Sequence, residues 1–181
     1  MTTSTQEMQW VLRAQAGDRE ALERLLRAVQ PPLRRYLVGL AGAPDVDDLL
    51  QDVLIIVIHK IGSLGDPQLF RPWTFRIASR EAFRHIRKRR RWIWQHDDDS
   101  QLRHLPDQEM RVPGELLQQL LGVDTISPAS RAVLVLHFQE ELSLPDVAAI
   151  LEIPVGTAKS RLAYGLAALR KYMNRTGASH G

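Results

Sequence analysis

The feature that most constrains the fold is an interruption in a helical pattern near the end of the chain. Residues 142–162, LSLPDVAAILEIPVGTAKSRL, place apolar side chains at helical spacing, but Pro154 and Gly156 fall within the pattern. A proline inside a helix removes a backbone hydrogen bond and clashes with the preceding turn. The stretch therefore predicts two helices joined by the turn EIPVG rather than one continuous helix.

The two predicted helices have the spacing of a helix–turn–helix motif. Ser143 and Asp146 have the positions of a capping box, which predicts that the first helix begins there. This helix is predicted to run to about Leu151 and to bury Val147, Ala148 and Leu151. The second helix is predicted to begin near Val155 or Thr157. Because the second helix of such a motif enters the major groove of DNA, the break would orient one helix towards DNA.

A helical wheel divides the second helix into a buried side and a side that faces DNA. The buried side carries Ala158, Leu162, Gly165 and Leu169. Lysine suits phosphate, and serine and tyrosine hydroxyls can reach phosphates or base edges. An ordinary helical hairpin with a solvated basic face is the alternative. The residues that we predict to contact duplex DNA are Thr157, Lys159, Ser160, Ala163, Tyr164 and Lys171.

The remaining apolar residues also recur at helical spacing, which predicts an all-α fold. Asp18 and Asp45 are predicted N-caps, and Pro31 with Pro32 separates two helices. Residues 95–114 are polar and acidic and lose the apolar period. We therefore expect two small helical domains, 1–94 and 115–181, joined by a flexible acidic linker at 95–114. The helices predicted outside the helix–turn–helix cover residues 6–16, 18–29, 31–40, 45–61, 70–91 and 127–139.

Charge is distributed unevenly, although the net charge is only +3. Residues 71–94 carry nine Arg and Lys and one acid, residues 97–124 carry seven acids and two Arg, and residues 157–181 carry five basic residues and no acid. Two basic segments on either side of an acidic one suggest a polyanionic partner that is held at two places.

Composition excludes several classes of protein. The chain has no cysteine, which excludes disulfides, thiolate metal sites and a cysteine nucleophile, and fits a reducing cytoplasm. The first nine residues lack the apolar core of a signal peptide, and the longest dense apolar run, residues 53–58, is too short to span a bilayer. The chain also has no glycine-rich phosphate loop and no credible Ser/His/Asp arrangement. We therefore expect a cytoplasmic protein that is not an enzyme and needs no cofactor.

The predicted helix at 70–91 carries an aromatic residue and an arginine stripe on one side. Phe75, Ala78, Ala82 and Ile86 lie on the other side. An aromatic residue followed by arginines suits a stacking platform for an unpaired base beside a phosphate track. From the residues alone, a buried Trp73 with a solvated arginine face is an equally good interpretation. The stripe consists of Trp73, Arg76, Arg80, Arg84, Arg87 and Arg91.

The predicted helix at 45–61 carries three potential metal ligands on one face. Asp48, Asp52 and His59 form this set, but a solvated face is its commoner explanation, and we expect no metal. Ile55 and Ile56 would be exposed on an isolated helix. Contiguous apolar exposure usually marks a contact surface, so we expect a partner there.

Three stretches together resemble the extracytoplasmic-function (ECF) sigma factors. LSLPDVAAILEIPVGTAKSRLAYGLAALRKYM is similar to the promoter-reading region of that family. VDDLLQDVLIIVIHKI with FRPWTFRIASREAFRHIRKRRR is similar to its N-terminal core region, and VLRAQAGDREALERLLRAVQPPLRRYLVGLAG to its opening helices. The resemblance covers nearly the whole chain in the order of the family.

The resemblance implies a function for each surface. It implies that the chain directs core RNA polymerase to promoters, contacting an upstream duplex element with the helix–turn–helix. The loop at 62–69 and the helix with Trp73 and its arginines would hold the melted non-template strand. Asp48, Gln51 and Asp52 would dock on polymerase, next to the apolar Ile55 and Ile56. A separate anti-sigma factor is the expected kind of regulator, because no long extra domain follows the helix–turn–helix.

The sequence departs from the family pattern near and within the predicted helix–turn–helix. Glu141 replaces a usual glycine, and Ala163 and Tyr164 stand where histidine and arginine are common, so we expect weaker or different phosphate and base contacts there.

Two other functions are alternatives to that of a sigma factor. A free-standing helix–turn–helix regulator would bind duplex DNA without polymerase. A metal-dependent nuclease, built on Asp48, Asp52 and His59, would cleave only with added metal.

Overall fold

The computed structural model describes residues 2–42, 44–93 and 126–177, and every regular element within these ranges is helical. The predicted all-α fold is confirmed. A π-helical turn, Val135–Gln139, continues α5, and two short 3₁₀ turns, Ile61–Ser63 and Pro67–Leu69, lie between α3 and α4. The α-helices in these ranges are α1 (Thr2–Gln15), α2 (Arg19–Ala41), α3 (Val46–Lys60), α4 (Phe70–Ile93), α5 (Pro128–Leu134), α6 (Leu144–Leu151) and α7 (Val155–Gly177).

The chain divides into two compact units, Met1–Arg87 and Lys88–Gly181. Helices α1 to α3 and most of α4 belong to the first unit, and α5 to α7 belong to the second. The predicted linker at 95–114 lies outside the described residues, as do the ends of the two predicted domains at 94 and 115. The domain boundaries therefore stay a prediction.

The first unit is built on Tyr36, which joins α2 to α4. Its ring meets the Phe75 ring edge to face, with centroids 5.4 Å apart, and its hydroxyl lies 2.6 Å from the Ser79 hydroxyl. Ser79 in turn donates a hydrogen bond to the Phe75 carbonyl. Burial raises the pKa of the Tyr36 hydroxyl, against the lowering effect of the Ser79 hydrogen bond, so the group stays protonated. The contact holds one face of α4 on the core.

Helix α2 corrects one prediction, because Pro31 and Pro32 do not end it. The buried side chains of α2 run from Ala21 to Leu40 without a break and pack against α1 and α3. A proline costs about 3 kcal/mol inside a helix. Each large apolar side chain gains about 1.5–3 kcal/mol on burial. Several such side chains on each side of the proline pair therefore outweigh its cost, and Pro32 is itself buried.

The two aspartates predicted as N-caps behave differently. The Asp18 carboxylate accepts a hydrogen bond from the Ala21 backbone N–H at 3.1 Å, as a cap should. This bond, followed by the hydrogen bond from Arg13, lowers the pKa of Asp18 below its ordinary value. Asp45 lies at the N-cap position of α3 as predicted, but its side chain makes no capping hydrogen bond. Its carboxylate instead lies 3.2 Å from His85 Nε2 of α4.

The second unit contains the predicted helix–turn–helix, formed by α6 and α7. The Ser143 hydroxyl accepts a hydrogen bond from the Asp146 backbone N–H and caps α6. Ile150, rather than the predicted Leu151, completes the buried face of α6. Helix α7 packs on both α5 and α6. It approaches α5 closely at Gly165, where an added Cβ would lie 2.7 Å from Leu134 Cδ1.

Two glutamates near the ends of α6 have left-handed backbone: Glu141 (φ +54°), three residues before the helix, and Glu152 (φ +56°), directly after it. This conformation costs an L-residue about 1–2 kcal/mol, while glycine loses about 0.5–1 kcal/mol more than alanine on ordering. We expect Glu141→Gly to stabilise the second unit by about 0.5–1 kcal/mol, measured by amide hydrogen exchange over residues 126–177. Glu141→Ala keeps the Cβ and is the control. Equal stabilisation by both variants would assign the effect to the glutamate side chain instead of the backbone.

Candidate polymerase and nucleic-acid interfaces

Helix α3 presents an acidic and apolar surface on the side opposite its buried face. Asp48, Gln51 and Asp52 are exposed, and Ile55 keeps 43% of its side chain accessible. Ile56 is half-buried rather than exposed. The predicted exposure of the pair therefore holds for Ile55 but not for Ile56. Ile58 is the second exposed isoleucine, at 40%. We call Asp48, Gln51, Asp52, Ile55 and Ile58 the α3 surface.

The potential metal ligands of α3 do not converge. Asp48, Asp52 and His59 are all exposed. Over residues 2–42, 44–93 and 126–177, no three His, Asp or Glu side chains lie close enough together to hold a metal ion. In this structure the three side chains are therefore parts of an exposed helix face.

Trp73 lies at the beginning of α4 and is half-buried. Its ring centroid is 6.2 Å from that of Phe70, with the planes tilted by 38°, and Phe70 itself is only 1% exposed. Phe75, Ala78 and Ala82 are buried, as the wheel predicted, whereas Ile86 is half-buried. Trp73 thus packs against the buried ring of Phe70, while part of the residue stays accessible to a partner.

The arginines of α4 become more exposed along the helix. Arg76 is half-buried, whereas Arg80, Arg84 and Arg87 are exposed. Arg84 forms an ion pair with Glu81, one turn earlier on the same helix. The side chain of Arg91 lies outside the described residues. The described arginines form a basic face that begins at Trp73, which we call the α4 surface.

The loop between α3 and α4 has some residues held by burial or hydrogen bonds and two exposed glycines. Leu64 is buried, and the Asp66 carboxylate accepts a hydrogen bond from the Gln68 backbone N–H at 2.9 Å. Gly62 and Gly65 are exposed, and a Cβ added at either would meet nothing within 4 Å. The loop therefore has a defined backbone with room for a ligand around its glycines.

Helix α7 carries most of its predicted contact residues on accessible positions. Lys159 and Lys171 are exposed, and Thr157, Ser160 and Ala163 are half-buried. The Ser160 hydroxyl donates a hydrogen bond to the Gly156 carbonyl at 3.0 Å, so it is engaged within the helix. The predicted buried stripe holds for Ala158, Gly165 and Leu169, while Leu162 is half-buried and Leu166 is buried.

Tyr164 is the main correction on α7. Its hydroxyl oxygen is buried and has no hydrogen-bond partner. The prediction that this hydroxyl reaches a phosphate or a base edge is therefore wrong for this structure. A helical wheel gives only the direction of each Cα around the helix axis. A long side chain can lie back over the preceding turn of its own helix, which the wheel does not show.

Val155 is a contact candidate that the wheel missed. It is the first residue of α7 and is 40% exposed. The N-terminal residues of a recognition helix contact base edges, and apolar side chains there meet thymine methyl groups. The signal available in the sequence was the position of this valine directly after Pro154, where the second helix was predicted to begin.

Two family models match separate parts of the chain. The Sigma-70 region 2 family matches residues 25–92, and the Sigma-70 region 4 family matches residues 122–171. The two matches together cover more than half of the chain and include the α3, α4 and α7 surfaces. The chain belongs to the ECF sigma factors. This sigma factor therefore acts in transcription initiation by RNA polymerase.

Individual relatives cover nearly the full length of the sigma factor. RNA polymerase sigma factor NccH of Alcaligenes xylosoxydans xylosoxydans is 29% identical over 170 residues, which is 87% of this chain and 89% of the relative. The ECF RNA polymerase sigma-E factor of Escherichia coli K12 is 25% identical over 164 residues, 84% of this chain and 86% of the relative.

Solved structures show the same fold. The sigma factor RpoE, in complex with the anti-sigma factor NepR from Bartonella quintana, superposes with a TM-score of 0.64 at 25% identity, over 84% of this chain and 96% of that one. CnrH, in complex with the cytosolic domain of CnrY, superposes with a TM-score of 0.65 at 21% identity, over 94% and 98%, and this likeness concerns the fold alone. In the part of the chain that the structure describes, no helix is both long enough and apolar enough to cross a membrane.

Proposed function

We propose that this sigma factor uses its three surfaces for three separate tasks. The α3 surface docks on core polymerase, the α4 surface with the loop at 62–69 holds the melted non-template strand, and the N-terminal part of α7 contacts the upstream duplex. The observation that carries the proposal is Trp73, which is half-exposed at the beginning of a basic face and supported by the buried Phe70. A side chain in this position can stack on an unpaired base without losing its place in the fold.

Melting requires both stacking and backbone contacts. Extruding a base from a duplex costs a few kcal/mol, and stacking on an aromatic side chain returns about 1–3 kcal/mol per base. For a single base the two terms nearly cancel. The exposed Arg80, Arg84 and Arg87 supply the additional phosphate contacts that decide whether the strand stays open.

The upstream duplex is contacted by residues with different tasks. Lys159 in the first turn and Lys171 three turns later lie about 18 Å apart along α7, at 1.5 Å per residue. These exposed cations suit phosphates, which fix position but carry little sequence information. Thr157, Ala163 and Val155 offer a hydroxyl and two methyl-bearing surfaces for base edges. The half-buried Ser160 adds a polar surface beside these contacts, whereas Tyr164, whose hydroxyl is buried, packs within the second unit.

Replacing Asp48 and Asp52 together by alanine should weaken binding to core polymerase by about two- to thirtyfold, because each exposed charge at an interface contributes about 0.2–1 kcal/mol. Helix α3 should stay folded, since both side chains are exposed. Affinity is measured by titrating labelled sigma factor with core polymerase at two salt concentrations. Asp47→Ala on the same helix is the matched control, because Asp47 is exposed but pairs with Arg34 at 3.1 Å. If the double variant binds normally and Ile55→Glu does not bind, docking is apolar and the acidic assignment fails.

Run-off transcription with purified core polymerase on a promoter library tests the proposal as a whole. Transcripts from a defined subset of promoters are expected only when the sigma factor is present. A chain that selects duplex DNA alone, and directs no transcription with core polymerase, would be a free-standing regulator.

The remaining parts of the proposal concern regulation and location. Both solved relatives described above are complexes, RpoE with the anti-sigma factor NepR and CnrH with the cytosolic domain of CnrY. A separate anti-sigma protein would hold this sigma factor in the same manner, away from polymerase. The factor would act in the cytoplasm and by binding alone, without a catalytic step of its own.

A further inference from the structure

Helix α1 lies outside the residues that match Sigma-70 region 2, which begin at residue 25. It nevertheless packs against both 3₁₀ turns of the loop between α3 and α4. This is the loop that, in the proposed function, holds the melted strand. Polar side chains of α1 make hydrogen bonds to this loop and to the beginning of α4, across more than 40 positions of sequence.

Gln15, the last residue of α1, fixes the first half of the loop. Its side-chain nitrogen donates one hydrogen bond to the Ile61 carbonyl at 2.9 Å and a second to the Leu64 carbonyl at 2.8 Å. The two carbonyls lie at the beginning and the end of the first 3₁₀ turn. One amide group therefore sets the distance across that turn and the direction in which the chain leaves towards Gly65.

Glu7, two turns earlier on α1, fixes the far end of the loop. It is only 9% exposed, and both of its carboxylate oxygens lie 3.0 Å from Nε of Arg71. Arg71 is the second residue of α4, and its carbonyl accepts a hydrogen bond from the Thr74 hydroxyl. The pair therefore ties the beginning of α4, two residues before Trp73, to α1.

We infer that Glu7 and Gln15 of α1 are positioning residues for the melted strand, in that they hold the loop at 61–69 and the beginning of α4 in the geometry that receives single-stranded DNA. The inference rests on the proposed function of this loop. A loop that is ordered before binding loses less conformational entropy when the strand arrives, so binding is tighter and faster. The two tips at Gly62 and Gly65 stay open while their flanks are fixed, as such a site requires.

The test compares two glutamines of α1 that differ in their contacts. Gln15→Met keeps the length of the side chain but removes both donors, whereas Gln9→Met makes the same change at an exposed position of the helix. The probe is a fluorescent single-stranded oligonucleotide carrying the non-template sequence of a promoter selected in the run-off assay, titrated with reconstituted holoenzyme. We expect Gln15→Met to weaken oligonucleotide binding about three- to tenfold. Binding to core polymerase and to the upstream duplex should equal those of the parent and of Gln9→Met.

The ion pair offers an independent rescue experiment. Glu7→Arg should weaken oligonucleotide binding because it places two cations together, and adding Arg71→Glu should restore it. If Gln15→Met lowers core, duplex and oligonucleotide binding equally, its role is structural and the inference is overturned. The Trp73→Ala variant distinguishes the positioning role of Gln15 from the strand-binding role of the α4 surface. If Trp73→Ala weakens oligonucleotide binding and Gln15→Met does not, the inference fails while the proposed function stands. If neither variant weakens it, the assignment of the strand to this surface fails, and the inference fails with it.

Discussion

Replacing Trp73 by alanine is expected to lower open-complex formation on a duplex promoter by ten- to a hundredfold. The lost stacking amounts to about 1–3 kcal/mol per base, and each 1.4 kcal/mol is a factor of ten. A base can reach the accessible part of the indole only after it has left the duplex stack. Binding of the upstream element should survive, because α7 in the second unit makes that contact.

Two templates separate melting from other effects of the Trp73 variant. Transcription is measured on a duplex promoter and on the same promoter with a mismatched bubble, and the bubble should rescue much of the defect. Trp10→Ala is the matched control, since Trp10 is also half-buried in the first unit but lies on α1, 6.0 Å from the Arg24 guanidinium. A Trp73 variant that is equally poor on both templates, or that unfolds, would show that the indole serves the core alone.

Gly165→Ala should destabilise the second unit by about 1–3 kcal/mol, the usual cost of overpacking a tight interior. The added methyl would lie 2.7 Å from Leu134 Cδ1 and 3.0 Å from Leu134 Cγ. Leu134 is fully buried in α5, so it has little room to move away. The better helix propensity of alanine, about 0.5–1 kcal/mol, offsets only part of this cost.

The same substitution elsewhere in α7 provides the control for Gly165. A Cβ added at Gly156 meets nothing within 4 Å, so Gly156→Ala should be neutral or slightly stabilising. Stability is followed by amide hydrogen exchange in residues 126–177. In a Leu134→Ala background, Gly165→Ala should cost much less, because the side chain that it meets is gone. Additive effects of the two changes would mean that α5 and α7 do not depend on this close approach.

The parts of the fold that depend on local chemistry could be predicted from the sequence. The helix–turn–helix follows from a proline within an apolar pattern, and Ser143 begins α6 because a hydroxyl satisfies a free backbone N–H. The basic face of α4 could be predicted because a helical wheel needs only a regular helix. The α3 surface could be predicted in outline for the same reason, although Ile56 was expected to be more exposed than it is and the exposed Ile58 was not singled out.

The parts that depend on tertiary packing could not be predicted in this way. Pro31 and Pro32 stay within α2 because burial on both sides outweighs their local preference. Asp45 turns from its expected cap to His85, forty positions away. Five consecutive buried residues, 132–136, cannot lie on one side of an ideal helix, and they surround the point where α5 becomes a π-turn. The contacts of Gln15 have no signal in the sequence, because a glutamine at a helix end is ordinarily solvated.

Helix α3 connects the proposed polymerase contact directly to the proposed DNA contact. It runs without interruption from the acidic residues of the α3 surface to Lys60, and the loop begins at the next residue. An α-helix advances about 1.5 Å and turns about 100° with each residue. In the proposed arrangement, the separation and angle between the docking surface and the strand-holding loop therefore depend on the number of residues in α3. A single residue inserted after the α3 surface would rotate the loop by about 100° relative to that surface and away from the strand.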